Sequence, residues 1–369
     1  MLPLALVIIA ATIVLMVRRV EVRLVIPGGI LAAYLVNVAV PNQASTAAAL
    51  GPILIPLLLA AGHGPDIAGA ALILGASFGG DLLNPGAQDV QAVAGAAGVN
   101  AAALSARVIP ASIAGAIVAA LVFPLLHGRP GRRPPIDAEE TAESGPAESL
   151  HLGKALVPLL PVTLLLAAYG GFPPLAWLIR PPDGPEWAPL AGALPVVRAM
   201  LIGLVVAAAI GWRELQPLVR SFFDGMGQAY ASIISLTITA QVFGAGVAAV
   251  GISAALLRAS SEFNALPALA TIFPWTLSML SGSGSGPILT FAQTFLAPLG
   301  ASANEAESVT LAALACFGGA FGRTMSPVSA VVVYSAGLVA LSPLPLVRRV
   351  IPALLAGAVA AIATVVLRA

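Results

Sequence analysis

Long apolar segments follow one another along this chain, and two of them are interrupted in the same way. One contains Gly80-Asp81-Leu82-Leu83-Asn84-Pro85 and the other Gly322-Arg323-Thr324-Met325-Ser326-Pro327. Each interruption places glycine, a charge and proline where a membrane helix would otherwise continue. Each is preceded by another apolar segment with small polar residues in its middle. Paired interrupted segments in two halves of a chain indicate the binding site of a secondary transporter.

The lengths of the apolar segments predict how often the chain crosses a membrane. A helix needs about 20 apolar residues to cross the hydrocarbon core, which predicts about eight spans, at 2–17, 67–94, 104–126, 154–170, 194–211, 227–250, 308–337 and 350–367. Segments 25–60 and 267–298 are too long for one helix and too short for two. Because each has a polar break in its middle, we predict two re-entrant hairpins. The predicted fold is an all-α polytopic membrane protein with two hairpins and two broken helices, 67–94 and 308–337.

The basic residues orient these spans. With both hairpins re-entrant, one face collects most of the arginines, and the positive-inside rule makes that face cytoplasmic; it holds Arg18, Arg19, Arg23, Arg129, Arg132, Arg133, Lys154, Arg213, Arg220, Arg348 and Arg349. The other face holds Arg107, Arg180, Arg198, Arg258 and Arg368. The first repeat (1–126) and the second (154–369) are then inverted, with a cytoplasmic linker at 127–153. Inversion is what alternating access about a midplane site requires.

Composition limits the class of protein. Of 369 residues, 59% are hydrophobic and 9% charged, against about 25% charged in a soluble domain. The single cysteine excludes a disulfide framework, and a net charge of +1 without a basic stripe gives no reason to expect nucleic acid as a partner. No phosphate-binding loop and no intramembrane histidine beside a serine is found, so we predict no ATPase, protease or other enzyme, and no metal site. The Ala-rich, Lys-poor usage is typical of a bacterial protein, here of the inner membrane.

The breaks supply groups that suit an organic anion. At 281–287, three glycines alternate with three serines before a proline, which favours exposed amides, hydroxyls and a helix N-terminus able to hold a carboxylate. The alternative is a small-residue helix-packing face. The matching tip at 41–46 is a weaker signal, since an ordinary polar loop also explains it.

Arg323 is the one basic residue predicted deep in the membrane. Burying it alone costs at least about 2.5 kcal/mol on insertion scales, so either Asp81 or a bound anion must offset its charge. Arg323 is then a substrate ligand, a brace, or half of a purely structural ion pair. Asp89 is a second intramembrane carboxylate, which carries a coupling proton, contributes to a cation site, or caps a half-helix.

At these residues the chain resembles the DcuC-type C4-dicarboxylate carriers of the wider ion-transporter superfamily. The resemblance is carried by 225–231 (GMGQAYA), 281–287 (SGSGSGP), 321–333 (FGRTMSPVSAVVV), Ala44-Ser45-Thr46 and 76–89. It implies a homodimeric carrier in which a transport domain moves past a scaffold, taking succinate, fumarate or malate with protons or Na⁺. The chain departs from the family in having one span before its first hairpin, which indicates a late start or a reduced first scaffold.

Position and resemblance together predict the site. The substrate-binding candidates are Asn42, Ser45, Thr46, Asn84, Ser281, Ser283, Ser285, Arg323, Thr324 and Ser326; the ion-coupling candidates are Asp81, Asp89 and Ser329. We expect no catalytic residue and no cofactor beyond a coupling ion, with an organic anion and membrane lipid as partners. Alternatives are a carrier of another anion, such as a short-chain fatty acid, citrate or gluconate, an ion channel, and a non-transporting scaffold with the carrier fold.

Overall fold

Helices make up every regular element of the chain that the structure describes. The structure, a computed structural model, describes residues 22–127, 159–169, 171–180, 194–230, 265–299 and 304–368, with position 157 and scattered positions between 238 and 258. Within these residues no strand occurs. The predicted span 2–17, residues 128–153 of the linker and most of the predicted span 227–250 lie outside the described residues.

The first half contains two helix pairs and one long helix. In chain order its helices are α1 (Val22–Ala39), α2 (Gln43–Ala60), α3 (Pro65–Ser77), α4 (Gln88–Ala97) and α5 (Ala101–His127). A single 3₁₀ turn, Asp81–Leu83, lies between α3 and α4. Gly98 ends α4 in the left-handed conformation (φ 67°), and its N–H bonds to the carbonyls of Ala94 and Gly95, a common helix stop.

The second half begins with several shorter helices. These are α6 (Leu159–Tyr169), α7 (Ala176–Ile179), α8 (Leu194–Ile210) and α9 (Leu215–Ala229). There follow α10 (Leu266–Ser281), α11 (Ser285–Phe291), α12 (Glu305–Thr324), α13 (Ala330–Leu338) and α14 (Pro343–Val366). Helix α11 continues through a π-helical turn, Ala292–Leu296, and a last helical turn, Ala297–Leu299.

Several of these helices are suited to a bilayer. Four segments of the described chain are long and apolar enough to cross a membrane: Gln43–Ala60, Pro65–Leu83, Ala101–His127 and Pro343–Val366. Together with the all-helical architecture, they fit a polytopic membrane protein. One predicted boundary is wrong by several residues: the last helix begins at Pro343 rather than 350, because Ser342 and Pro343 supply an N-terminal start.

The interruptions occur where the sequence predicts them but are shorter than expected. In the first pair the break is 40–42 rather than 41–46, because Asn42 caps α2 by accepting a hydrogen bond from the Ser45 N–H (2.9 Å). Ser45 and Thr46 therefore lie in the first turn of a helix. In the second pair the break is 282–284 rather than 281–287, and Gly282 (φ 75°) ends α10.

Glycine brings the helix backbones of the core close together. A Cβ at Gly322 of α12 would overlap the carbonyl oxygen of Trp275 on α10, and a Cβ at Gly318 would overlap that of Thr271. Between α5 and α14, a Cβ on Gly115 would lie 2.7 Å from the carbonyl oxygen of Gly357. Close backbone approach through small residues is how helices pack in membranes, where lipid is as apolar as the core.

Helix α12 lies at the centre of the described part, with every residue from Ser308 to Thr324 buried. Phe321 on this helix packs against Phe78 at the end of α3 (ring centroids 5.1 Å apart) and against Trp275 of α10 (5.5 Å). The aromatic contacts thus join the end of α3 to the end of α12. They bring the two polar interruptions together inside the protein.

Candidate substrate and coupling-ion site

An ion pair joins the two interruptions. Arg323 is in the last turn of α12, and Asp81 begins the 3₁₀ turn after α3. Their side chains are 7% and 4% exposed, and Arg323 Nη2 lies 3.5 Å from Asp81 Oδ2. The sequence predicted that Asp81 or a bound anion offsets the charge of Arg323, and the structure places Asp81 beside it.

Asp89 lies on the other side of the same guanidinium, with Oδ2 3.6 Å from Arg323 Nη1 and a side chain 7% exposed. It is in the first turn of α4, where the helix dipole favours an anion, while Arg323 is at a helix C-terminus, where the dipole favours a cation. The sequence singled out Asp89 as a second intramembrane carboxylate. Its pairing with Arg323 was not foreseen, because it depends on how α4 and α12 pack.

The cluster of Asp81, Arg323 and Asp89 is not balanced in charge. Two carboxylates face one guanidinium, so its formal charge is −1 when all three are ionised. Oδ1 of each aspartate and Nε of Arg323 are buried and form no hydrogen bond within the described structure. A buried polar atom without a partner is costly. The cluster therefore has an uncompensated negative charge and three buried polar atoms to which a ligand or a coupling ion could bind.

The tip between α1 and α2 reaches this cluster through Gln43. The side-chain amide of Gln43 donates to Asp81 Oδ2 (2.6 Å), the same oxygen that faces Arg323. Thr46 is buried and donates to the carbonyl of Val40 (3.0 Å). Gln43 was not among the predicted site residues. Its position next to Asn42 in a polar break is the signal that could have identified it.

Polar residues of α1 and α5 hold the first interruption in place. Asn37 accepts a hydrogen bond from the Asp81 N–H (2.9 Å), and Ser112 donates to the carbonyl of Gly79 (3.0 Å) while bonding to the Tyr34 hydroxyl (2.7 Å). In a membrane, backbone groups released by a helix break must find such partners. Tyr34 and Asn37 are one helical turn apart on α1, and that spacing in an apolar helix is the signal we missed.

The second tip contacts Arg323 through a glycine. A Cβ at Gly284 would lie 2.9 Å from Arg323 Nη1, so the backbone of the tip lies directly over that nitrogen. Ser283 and Ser285 flank Gly284 and are half-buried, whereas Ser281 is exposed, with Oγ 3.3 Å from the Ser283 nitrogen and carbonyl oxygen. Of the tip serines, 283 and 285 are therefore the ones that are partly buried and next in the chain to the glycine that covers Nη1.

The remaining candidates bond to the backbone of the interruptions. Thr324 Oγ1 lies 2.7 Å from the carbonyl of Ser77 and 2.8 Å from its hydroxyl, which ties the ends of α3 and α12 together. Ser329 donates to the carbonyl of Ser326 (3.1 Å), and Ser326 Oγ accepts from the Val328 N–H (3.4 Å). Asn84 accepts from the Gly86 N–H (2.9 Å). In this conformation these side chains shape the breaks.

A π-helical turn marks the helix that leaves the second tip. Such turns occur frequently at functional sites, and this one, Ala292–Leu296, includes Thr294, whose hydroxyl is buried and makes no hydrogen bond among the described residues. The turn packs against α4 and α12, the helices that carry Asp89 and Arg323. Nothing in the sequence pattern predicts a π-turn there.

Four apolar helices long enough to cross a bilayer, together with a charged cluster buried inside the helical protein, are typical of a multi-pass membrane protein. A family model described as the C4-dicarboxylate anaerobic carrier, DcuC, matches residues 8–369. The chain belongs to this family. Because the family is one of transporters, the chain is not an enzyme.

Two relatives place the chain within its family. An uncharacterized transporter of Haemophilus influenzae is 28% identical over 283 residues, which is 74% of this chain and 96% of that protein. The anaerobic C4-dicarboxylate transporter DcuC of Escherichia coli is 27% identical over 187 residues, covering 48% of this chain and 39% of that protein. The chain thus matches well under half of the E. coli protein. No solved structure matches it.

Proposed function

We propose that this protein is a secondary active transporter that moves C4-dicarboxylates such as succinate, fumarate and malate across the inner membrane by alternating access. The observation that carries the proposal is the meeting of both tips and both interruptions at one buried arginine, through Gln43 and Asp81 on one side and Gly284 on the other. A guanidinium is the preferred partner of a carboxylate. The name of the E. coli relative points to the same substrate class.

Matching contacts in the two halves support an internal repeat. A Cβ at Gly80 would overlap the Tyr34 carbonyl oxygen and approach Asn37 Cβ (3.2 Å). A Cβ at Gly322 would overlap the Trp275 carbonyl oxygen and approach Ser278 Cβ (2.8 Å). In each half the glycine before the charged residue rests on two positions, three residues apart, of the first hairpin helix. With the arginine distribution, this supports inverted repeats with two re-entrant hairpins.

The coupling ion of this carrier is a proton or Na⁺, with Asp81, Asp89 and Ser329 as candidates. The movement of a transport domain past a scaffold and the homodimer belong to the same proposal. Helices α8 and α9 present exposed apolar side chains such as Leu201, Val205 and Phe223, which suit lipid or a second copy of the chain.

Uptake of labelled succinate into proteoliposomes tests the proposal. We expect saturable uptake that excess unlabelled succinate competes away, together with counterflow, which a channel does not give. Citrate, gluconate and a short-chain fatty acid serve as competitors, because one arginine and serine-rich tips would hold other carboxylates too. Stronger competition by one of these would reassign the substrate. Absence of uptake of any of them by folded protein would favour the non-transporting scaffold.

Bulky substitutions at the second tip should block substrate binding. Ser283→Leu and Ser285→Leu would place a bulky side chain on either side of Gly284, whose backbone lies against Arg323 Nη1, and we expect each to lower succinate affinity by at least about tenfold, equivalent to about 1.4 kcal/mol. The matched control is Thr276→Leu, at an exposed position of α10 whose hydroxyl bonds only within its own helix. Normal affinity in both serine variants would show that this tip does not contact substrate.

A further inference from the structure

Nη1 of Arg323 has a carboxylate on one side and the second tip on the other. Asp89 Oδ2 lies 3.6 Å from it, and the backbone of Gly284 covers it without a side chain between. If a dicarboxylate binds at this tip, as the proposed function requires, its carboxylate reaches Arg323 at the nitrogen that Asp89 already faces. Asp89 and the substrate are then competitors for one donor.

The two aspartates differ in how firmly they are held. Asp81 Oδ2 accepts the Gln43 amide at 2.6 Å in addition to facing Arg323 Nη2, and its backbone N–H is fixed by Asn37. Within the described residues, the side chain of Asp89 has Arg323 as its one partner. Asp81 is therefore suited to remain an anion that orients the guanidinium. Asp89 is the aspartate that can leave it.

The negative charge of the cluster favours protonation of Asp89 and its release from Arg323 when a dianion binds. The cluster already carries −1, and a dicarboxylate dianion would add two more negative charges in a buried site, where like charges repel strongly. A proton on Asp89 cancels one of these charges. It also turns the competing carboxylate into a neutral carboxyl group, which binds Nη1 more weakly.

We propose that Asp89 and a substrate carboxylate compete for Nη1 of Arg323, and that protonation of Asp89 settles this competition in favour of the substrate. The inference rests on the proposed function and names the proton as the coupling ion. The proton comes from water and binds a carboxylate oxygen of Asp89, while Nη1 exchanges Asp89 for the substrate. Proton and dicarboxylate thereby bind cooperatively, and each raises the affinity for the other by the same factor.

A metal cation fits this place less well than a proton. Any metal cation at Asp89 would lie beside the positive guanidinium, whereas a proton binds the carboxylate oxygen itself and removes its charge. The ionisable groups that act on Asp89 are Arg323 and Cys316 of α12 and Asp81 of the first interruption. Residues 285–299 contribute no ionisable side chain. Arg107 and His127, at the two ends of α5, bond to the carbonyls of Arg368 and Arg349.

Fumarate binding to the purified full chain, measured as a function of pH, tests this inference. Both carboxyl groups of fumarate are already ionised near neutral pH, so fumarate brings no proton of its own, and a proton taken up on binding comes from the water. We expect wild-type affinity to rise as pH falls from about 8 to about 6, by up to about tenfold per pH unit, the limit for one linked proton. A pH-indicator dye should report proton uptake when fumarate is added to wild-type protein in weak buffer.

Asp89→Asn imitates the protonated aspartate permanently. Its affinity at about pH 8 should be at least that of the wild type at about pH 6, with the pH dependence and the dye signal lost. Asp89→Glu keeps a titratable group and should keep both. Asp66→Asn, a control at a partly exposed carboxylate that pairs with Arg349 (3.0 Å), should behave as wild type.

The outcomes separate this inference from the proposed function. Fumarate binding with no pH dependence and no proton uptake in the wild type would overturn the role of Asp89 and leave the carrier intact. An unchanged pH dependence in Asp89→Asn would do the same. If the folded wild type binds neither fumarate nor succinate at any pH, the proposed function fails and this inference fails with it. The wild-type dye measurement needs no variant to fold.

Discussion

Arg323→Ala is expected to abolish uptake of labelled succinate, with the protein still inserted in the membrane. Arg323 is the buried cation to which both interruptions and both tips converge, and a hydrogen bond between a guanidinium and a carboxylate is charge-assisted and strong. Losing such a contact in a buried site costs several kcal/mol, which lowers affinity by more than about 100-fold. Initial uptake rates in proteoliposomes, normalised to inserted protein, measure the effect.

The same substitution should also destabilise the fold. Without Arg323, the carboxylates of Asp81 and Asp89 stay buried with no counter-charge, and removing one partner of a buried pair typically costs about 3–5 kcal/mol. Arg323→Ala combined with Asp81→Asn restores the formal charge of −1 found in the wild type. If this double variant regains stability but not uptake, Arg323 is a substrate ligand. If it regains uptake as well, Arg323 serves only as a counter-charge.

A control arginine tests whether the effect is specific. Arg349 is 46% exposed and pairs with Asp66 between α14 and α3, and such an exposed pair contributes only about 0–1 kcal/mol. Arg349→Ala should therefore leave uptake near the wild-type level. Undiminished uptake by Arg323→Ala would remove this residue from the site and would leave the function of the cluster unexplained.

The interruptions could be predicted from sequence because their cause is local. Proline at 85 and 327 removes a helical donor and disfavours the helix before it, and the helices end and restart around those positions in the structure. The tips were predicted less well. Asn42 caps a helix and so draws Ser45 and Thr46 into its first turn, and a polar run alone does not show where such a cap falls.

The cluster itself could be predicted only in part. Arg323 and Asp81 occupy equivalent places in the two interruptions, and their pairing follows from matching the halves. The contacts of Asp89 with Arg323 and of Gln43 with Asp81 depend on how separate helices pack. No local pattern encodes that packing, because hydrophobic periodicity gives the buried face of a helix and not its partner. The same limit explains why Asn37 and Tyr34 were missed.

Gly322→Ala should force α10 and α12 apart and stop transport, although it adds only one methyl group. The new Cβ would overlap the backbone oxygen of Trp275 and lie 2.8 Å from Ser278 Cβ. A backbone oxygen cannot rotate away as a flexible side chain can, so the helices must separate, and overpacking of this kind costs typically about 1–3 kcal/mol. Because Arg323 is the next residue, a shift of α12 also displaces its guanidinium. We expect a lower thermal unfolding midpoint in detergent and little or no succinate uptake.

Glycines in open surroundings provide the matched control for this effect. A Cβ on Gly337 of α13 or Gly95 of α4 would meet no atom within 4 Å, and alanine in a helix is about 0.5–1 kcal/mol more favourable than glycine. Gly337→Ala and Gly95→Ala should therefore keep or raise the unfolding midpoint. Equal midpoints for Gly322→Ala and these controls would contradict the close approach of α10 and α12. If the two halves are built alike, Gly80→Ala should reproduce the loss seen at Gly322, because its Cβ would overlap the Tyr34 carbonyl oxygen in the same way.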